Sequence, residues 1–383
     1  MKLDTTLEET IDIVNSCLKD TGCAFGGWPN SYEMLCPIYA QGRDFSACLG
    51  GIVYVIRALI GGNIEYSQAL AEHVFSCSQC GACDISCYVL SIHRTDIKPS
   101  DFIRLLRSQL VQRGFLPEGY LKSQYERLKT AKGPTNSVIS TPTNKNETDV
   151  VLYTEDADTG TCKTLLNNTV NLLERIGYKT TILSNENCGA SHYDLGFWSS
   201  LPGDMINCWK ALAAWKNKPF VFIDPHHLEF ISHRYPEFVP EYKQLKTAHI
   251  SQILADALKQ GRLTSTRESR LRVSYHDPCR LGRVMGILDA PREVLSSLHG
   301  IELVEMHPNR SNTFCCGARA FGNYYPNIST NTAKLRLKEF YATGADILVT
   351  ACPNCKAQFQ KVMPAGEKDR VKDLVEIVDE RTR

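Results

Sequence analysis

Four cysteines are spaced Cys77-x2-Cys80-x2-Cys83-x3-Cys87. A run with this rhythm wraps a [4Fe–4S] cube: its first three thiolates take three irons, and its fourth reaches to a second cluster. Each two-residue gap, Ser78-Gln79 and Gly81-Ala82, lets the backbone turn around one edge of the cube. A zinc knuckle or unrelated core cysteines are the bland alternatives, and neither needs four thiols at this spacing. The proline usual after the fourth cysteine is Tyr88 here.

A cube held by three thiolates needs a fourth ligand from elsewhere. Cys36 is followed by Pro37, the tail of a second such run. Upstream, Cys17-x2-Asp20-x2-Cys23 keeps the ferredoxin rhythm with aspartate in the middle slot, and twelve residues separate Cys23 from Cys36 where three are usual. The expected pairing puts Cys77, Cys80, Cys83 and Cys36 on one cube and Cys17, Asp20, Cys23 and Cys87 on the other. A carboxylate is a harder and more exchangeable ligand than a thiolate. Asp20 therefore ligates iron, or the site stays [3Fe–4S], or Cys48 takes the slot; Asp20 as a solvated residue at a helix end is equally open.

A second set of cysteines lies near the C-terminus: Cys279, Cys315-Cys316-Gly317 and Cys352-x2-Cys355. Each group lies at or near the end of an expected parallel strand, the edge where open α/β sheets gather ligands. Five thiolates there can hold more than one metal. Adjacent Cys315 and Cys316 point different ways, and Gly317 permits close backbone approach or positive φ. His276, Arg280 and Arg319 flank these motifs. The arginines either bind an anionic substrate tail or neutralise thiolate charge. His276 either donates a proton to a leaving thiolate or orients its loop.

The rest of the chain must position these groups. It has 383 residues, 16 of them cysteine, with 43 Lys+Arg against 42 Asp+Glu. Balanced charge argues against a nucleic-acid partner, which would need a basic face. Met1 to Thr10 lacks the basic and apolar regions of a secretory signal, so a cytoplasmic setting with reduced thiols is expected, and metal ligation rather than disulfides. The most apolar stretch, Ile52 to Ile60, is too short to span a bilayer and contains Arg57.

Residues 1–129 read as helical. Thr6 and Glu9 form a capping box ahead of Ile11, Val14 and Leu18; short helices follow at Ile52–Ile60 and Gln68–Phe75, and Pro99-Ser100-Asp101 opens another. Residues 130–148 are polar and read as a linker. Beyond them strands and helices alternate, which implies βαβ units and parallel pairing. The expected class is α+β overall: a helical two-cluster domain, then α/β halves at 149–265 and 266–383. Asn187-Cys188-Gly189 stands 128 residues before Cys315-Cys316-Gly317, and Asp224-Pro225-His226-His227 stands 128 before Cys352-Pro353-Asn354-Cys355. Two motifs sharing one offset indicate an internal duplication.

The stretches His276-Asp277-Pro278-Cys279, Cys315-Cys316-Gly317-Ala318, Thr343-Gly344-Ala345-Asp346 and Thr350-Ala351-Cys352-Pro353-Asn354-Cys355 resemble the cysteine-rich CCG domain of heterodisulfide reductase catalytic subunits. Relatives of that domain occur in iron–sulfur subunits of glycolate and lactate oxidation and of dissimilatory sulfite reduction. With the ferredoxin run, the whole chain outside the linker resembles a fusion of the electron-transfer and catalytic subunits of heterodisulfide reductase. The resemblance implies a noncubane [4Fe–4S] cluster on Cys279, Cys315, Cys316, Cys352 and Cys355, fed by two cubes and reducing a disulfide-type substrate. It implies redox subunits as partners, with a flavin-containing electron donor. A relay subunit without a substrate of its own is the second reading, and a colourless zinc-binding module the third.

The first half departs from the family pattern. No cysteine ends the strand at Val150–Tyr153, Cys-Cys becomes Asn187-Cys188, and Cys-x2-Cys becomes Asp224-x2-His227. It is either a structural remnant, or Cys188, Asp224 and His227, with Cys162 or His192, form a mononuclear metal site or an acid/base group.

Overall fold

The computed structural model describes residues 3–18, 21–26, 33–87, 97–130, 139–140, 147–155, 160–184, 187–238, 245–318 and 324–383. They form two compact units. The first comprises Met1–Lys132, Ser191–Pro202 and Ser311–Arg336; the second comprises Gly133–Ala190, Gly203–Arg310 and Leu337–Arg383.

The first unit is helical, apart from a short antiparallel pair, β1 (Phe25–Gly26) and β2 (Glu33–Met34). The capping box forms: Thr6 N–H donates to Glu9 at 2.8 Å, and Glu9 N–H to Thr6 Oγ1 at 3.4 Å. The helix Leu49–Ile60 buries Ile52, Val53 and Ile56 and leaves Tyr54 exposed, as a 3.6-residue period requires. The helix Pro99–Gln112 starts on proline, whose missing N–H costs nothing in the first turn. It carries two fully buried arginines. Arg104 pairs with Asp101 and Asp194, each at 2.8 Å. Arg107 donates to the carbonyls of Val74, Phe75 and Cys77 at 3.3, 3.2 and 2.6 Å. A buried guanidinium is tolerated only with such partners. Here those partners are the last carbonyls of the helix Gln68–Phe75 and the first of the cysteine loop, so Arg107 fixes where that loop begins.

The second unit contains two sheets. In the first, β3 (Ile139–Ser140), β4 (Val150–Thr154), β5 (Thr180–Ser184), β6 (Phe220–Phe222) and β7 (Thr247–His249) lie in the order β3-β5-β4-β6-β7. Only β3, inside the stretch read as a linker, is antiparallel. In the second, β8 (Leu271–His276), β9 (Ile301–Leu303), β10 (Ile347–Thr350) and β11 (Val371–Asp373) lie in the order β9-β8-β10-β11, all parallel. The four parallel strands of each half thus follow one winding, which is the duplication expressed as topology. Buried Val150, Leu152, Val221 and Leu254 share a core with Val273, Tyr275, Val349 and Leu374, so the halves fold as one body.

Each half ends alike. His249 caps the helix Ile250–Lys259, and Asp373 caps the helix Leu374–Thr382, both through capping boxes. Among the described residues, no helix is long and apolar enough to cross a membrane.

Candidate metal centres

In the first unit, Cys36, Cys77, Cys80, Cys83 and Cys23 line one cavity, together with Ser78, Gln79 and Gly81. The backbone turns that wrap it are left-handed at Gln79 (φ 55°) and Gly81 (φ 71°). Ser78 Oγ and both side-chain amide atoms of Gln79 are buried there without a protein partner. Orphaned polar atoms of this kind are costly unless an occupant supplies the missing hydrogen bonds. Cluster sulfurs are such acceptors. Burial raises the Cys36, Cys77 and Cys83 thiols above the usual range. Metal coordination is what stabilises such buried groups as thiolates. The residues therefore fit a cube.

Cys23 and Cys48 are hydrogen-bonded neighbours; this contact, then burial, raises Cys23, while the same contact lowers Cys48 to about 7 against the effect of burial. Gly50 N–H also donates to Cys23 Sγ at 3.2 Å. Cys48 is thus beside an expected ligand of the second cube. Cys17 ends the helix Ile11–Ser16, and Cys87 closes the helix Ala82–Ser86 with its N–H on the Cys83 carbonyl. Asp20 lies outside the described residues.

The C-terminal cysteines fall on both units. In the first, Cys315 and Cys316 are buried, and Gly317 N–H donates to Cys315 Sγ at 3.3 Å. Gly317 has φ 77°, and a Cβ there would stand 2.6 Å from the Ser329 carbonyl oxygen, so only glycine fits. Ser329 Oγ donates back to the Gly317 carbonyl at 2.6 Å. In the second unit, Cys352 and Cys355 are buried at the start of the helix Pro353–Val362, directly after β10, and Cys279 follows β8. Asp277 anchors that loop with a bidentate bond to Arg292 at 2.7 and 2.9 Å, and it also accepts from Arg310 N–H at 2.8 Å. His276 is buried edge-on against Phe359, and a ring nitrogen lies within 4.8 Å of Cys355 Sγ. None of the fifteen cysteines described forms a disulfide. In each unit the C-terminal cysteines sit in loops locked by glycine or by arginine and carboxylate, and their thiols have the chemistry of cluster ligands.

Two expectations change. Arg280 does not wait for an anion: it is buried, and its Nη1 lies 3.2 Å from Glu229 Oε2. Arg234 holds the other oxygen of Glu229 at 3.4 Å. Arg319 and the Cys162 side chain lie outside the described set.

The degenerate site is also built differently. Asp224 does not join Cys188 and His227. It accepts from His226 N–H at 2.8 Å, as a helix cap, and from the Asn354 amide at 2.7 Å. His192 lies in the first unit against Ser200. Glu155, at the end of β4, takes the place expected of Asp224: ligand atoms of Glu155, Cys188 and His227 lie within 4.8 Å of one another. Burial alone would raise the Glu155 carboxyl, but the facing His227 and the hydrogen bonds from Cys188 leave it below its usual value. Burial, then the Glu155 charge, raises Cys188. Glu155 directly follows β4 as Asp277-Pro278-Cys279 follow β8, and that place is its one local signal. A search confined to cysteine passes over it.

A ferredoxin-type cysteine cavity and a duplicated parallel α/β unit carrying cysteine loops define an iron–sulfur oxidoreductase. Residues 273–360 match the cysteine-rich domain family called CCG. The chain is 29% identical over 346 residues to one subunit of the dihydromethanophenazine:CoB–CoM heterodisulfide reductase of Methanosarcina mazei, covering 85% of this chain and 83% of that protein. It is 30% identical over 224 residues to lactate utilization protein A of Oceanobacillus iheyensis, covering 55% of this chain and 88% of that one. It belongs to the heterodisulfide reductase-like family of CCG-domain iron–sulfur proteins. A crystal structure of a hypothetical protein from Helicobacter pylori shares the fold, with a TM-score of 0.57 at 13% identity over 88% of this chain and 68% of that one.

Proposed function

We propose that the chain is a redox subunit that passes electrons through two [4Fe–4S] clusters to a noncubane [4Fe–4S] cluster, where a disulfide-type substrate is reduced. The observation that carries this reading is the cavity lined by Cys36, Cys77, Cys80 and Cys83 in a chain that also carries the full CCG cysteine set. When bound, these groups supply one-electron transfer and, at the last of them, electrons to sulfur.

The chain's own residues have distinct tasks. Cys77, Cys80, Cys83 and Cys36 hold one cube. Cys17, Cys23 and Cys87 hold the other, with Asp20 or Cys48 in the remaining place. Cys279, Cys315, Cys316, Cys352 and Cys355 hold the noncubane cluster. His276, buried beside Cys355, delivers the proton to a leaving thiolate. Arg107 and Asp277 act only by holding loops. The relative from Methanosarcina mazei is a subunit of a reductase, which supports redox subunits as partners; a flavin-containing electron donor is the partner we propose among them.

The test is anaerobic reduction of a small-molecule disulfide by the purified chain with a reduced viologen. Wild type turns over, and Cys316→Ser abolishes turnover while the signals of the cubes persist. A wild-type protein that accepts electrons yet leaves every disulfide untouched is a relay, and the reductase reading fails. Asp20→Cys tests the last ligand: an unchanged as-isolated EPR spectrum excludes Asp20, leaving Cys48 or a [3Fe–4S] site.

A further inference from the structure

The positions that bind iron in one half have a counterpart in the other that no cluster can use. Cys188 matches Cys316, and His227 matches Cys355, at the common offset of 128 residues. Glu155 directly follows β4 as Asp277–Cys279 directly follow β8. One thiol, one imidazole and one carboxylate are too few and too mixed for an iron–sulfur cluster. They are the donor set of a mononuclear site. We infer that Glu155, Cys188 and His227 bind one divalent cation, zinc, with a solvent molecule in the fourth position.

Three observations support this. The ligand atoms already converge within 4.8 Å of one another. Glu155 Oε2 faces His227 Nε2 at 3.1 Å, and both side chains keep 13% and 14% of their surface exposed, enough for an ion to enter. The surrounding groups fix the ligands as a second layer around a metal does. Cys188 N–H donates to Glu155 Oε1 at 2.6 Å, Tyr153 O–H donates to the same oxygen at 3.3 Å, and Tyr235 O–H donates to the Cys188 carbonyl at 2.6 Å. Tyr153 also packs edge-on against the His227 ring. Charge favours the same occupant: one carboxylate and one thiolate neutralise a divalent cation in a largely dry site. Binding displaces the proton of the Cys188 thiol and any proton between Glu155 and His227, and no electron moves. The role is structural, tying the ends of β4 and β6 to the Cys188 loop, and it does not depend on the disulfide-reductase reading.

The experiment is metal analysis of the anaerobic full-length protein, equilibrated with zinc and gel-filtered, together with zinc K-edge EXAFS. The expected content is one zinc per chain, with a first shell of one sulfur at about 2.3 Å and nitrogen or oxygen at about 2.0–2.1 Å. Glu155→Gln and a Cys188→Ser/His227→Gln double variant should lower zinc affinity at least about tenfold with iron and sulfide unchanged. A wild-type protein without bound zinc overturns the inference. So does a sulfur-only shell, which would place the zinc at cluster cysteines, or zinc retained by the double variant. Should the double variant fail to fold, the wild-type content and shell still decide.

Discussion

The side-chain amide of Asn354 donates to Asp224 Oδ2 at 2.7 Å, joining the loop after β10 to the loop after β6. Asn354 sits between the two cysteines of the second half, and Asp224 is the degenerate counterpart of Cys352. The half whose Cys-x2-Cys motif is lost thus stays bonded to the half that retains it. Asp224→Ala removes this bond and the cap on His226 N–H, and should cost about 1–2 kcal/mol in chemical denaturation. Asp224→Asn keeps the cap and should cost less. A double-mutant cycle with Asn354→Ala should give a coupling of about 0.5–2 kcal/mol.

Glu229 holds Arg280 and Arg234 in a buried network. Glu229→Gln leaves two buried guanidinium groups without their shared charge and should destabilise the second unit by about 3–5 kcal/mol. Equilibrium unfolding measures this. A loss below about 1 kcal/mol, the range of surface pairs, would mean the network is solvated.

Gly317→Ala places a Cβ against the Ser329 carbonyl at a positive φ. The loop carrying Cys315 and Cys316 must then shift. Iron should fall from about twelve to about eight per chain, with the cubes retained. Full iron content in the variant would show that this loop tolerates the strain.

The two equivalent helix caps titrate in opposite senses. Burial, helped by the nearby Glu376 charge and opposed by the Val375 hydrogen bond and Lys356, raises Asp373 to about 7. The folded state then binds this proton more tightly than the unfolded chain, so stability falls as pH rises from about 4 to 7. Burial lowers His249 to about 4, so its contribution is lost as pH falls from about 6.5 to 4. Asp373→Asn keeps the cap and should remove the first trend, making stability rise more steeply with pH across this window. His249→Asn should do the reverse. Denaturation midpoints at pH 4.5, 5.5 and 6.5, spanning the interval between folded and unfolded values, read both slopes.

Much of this architecture was legible in the sequence because cysteine spacing and apolar runs are local signals. The helices at Gln68–Phe75 and Pro99–Gln112 and the central strands of each half follow from them, as does the duplication, through the shared offset of Asn187-Cys188 and Asp224. Strands β7 and β11 did not: each has three residues, and each ends on a polar cap, His249 or Asp373, so neither carries a hydrophobic run. The buried ion pair of Arg280 and the role of Glu155 also stayed hidden. Both depend on residues 51 and 33 to 72 positions away in the chain, and composition carries no record of such partners.

Iron–sulfur ligation at both cysteine sets is the central claim, and its most direct test is an anaerobic iron and sulfide count with EPR before and after thiol addition. Two cubes and one noncubane cluster predict about twelve irons per chain and a new paramagnetic signal with thiol, lost in Cys316→Ser. A colourless protein, or one with about eight irons and no response to thiol, would contradict it.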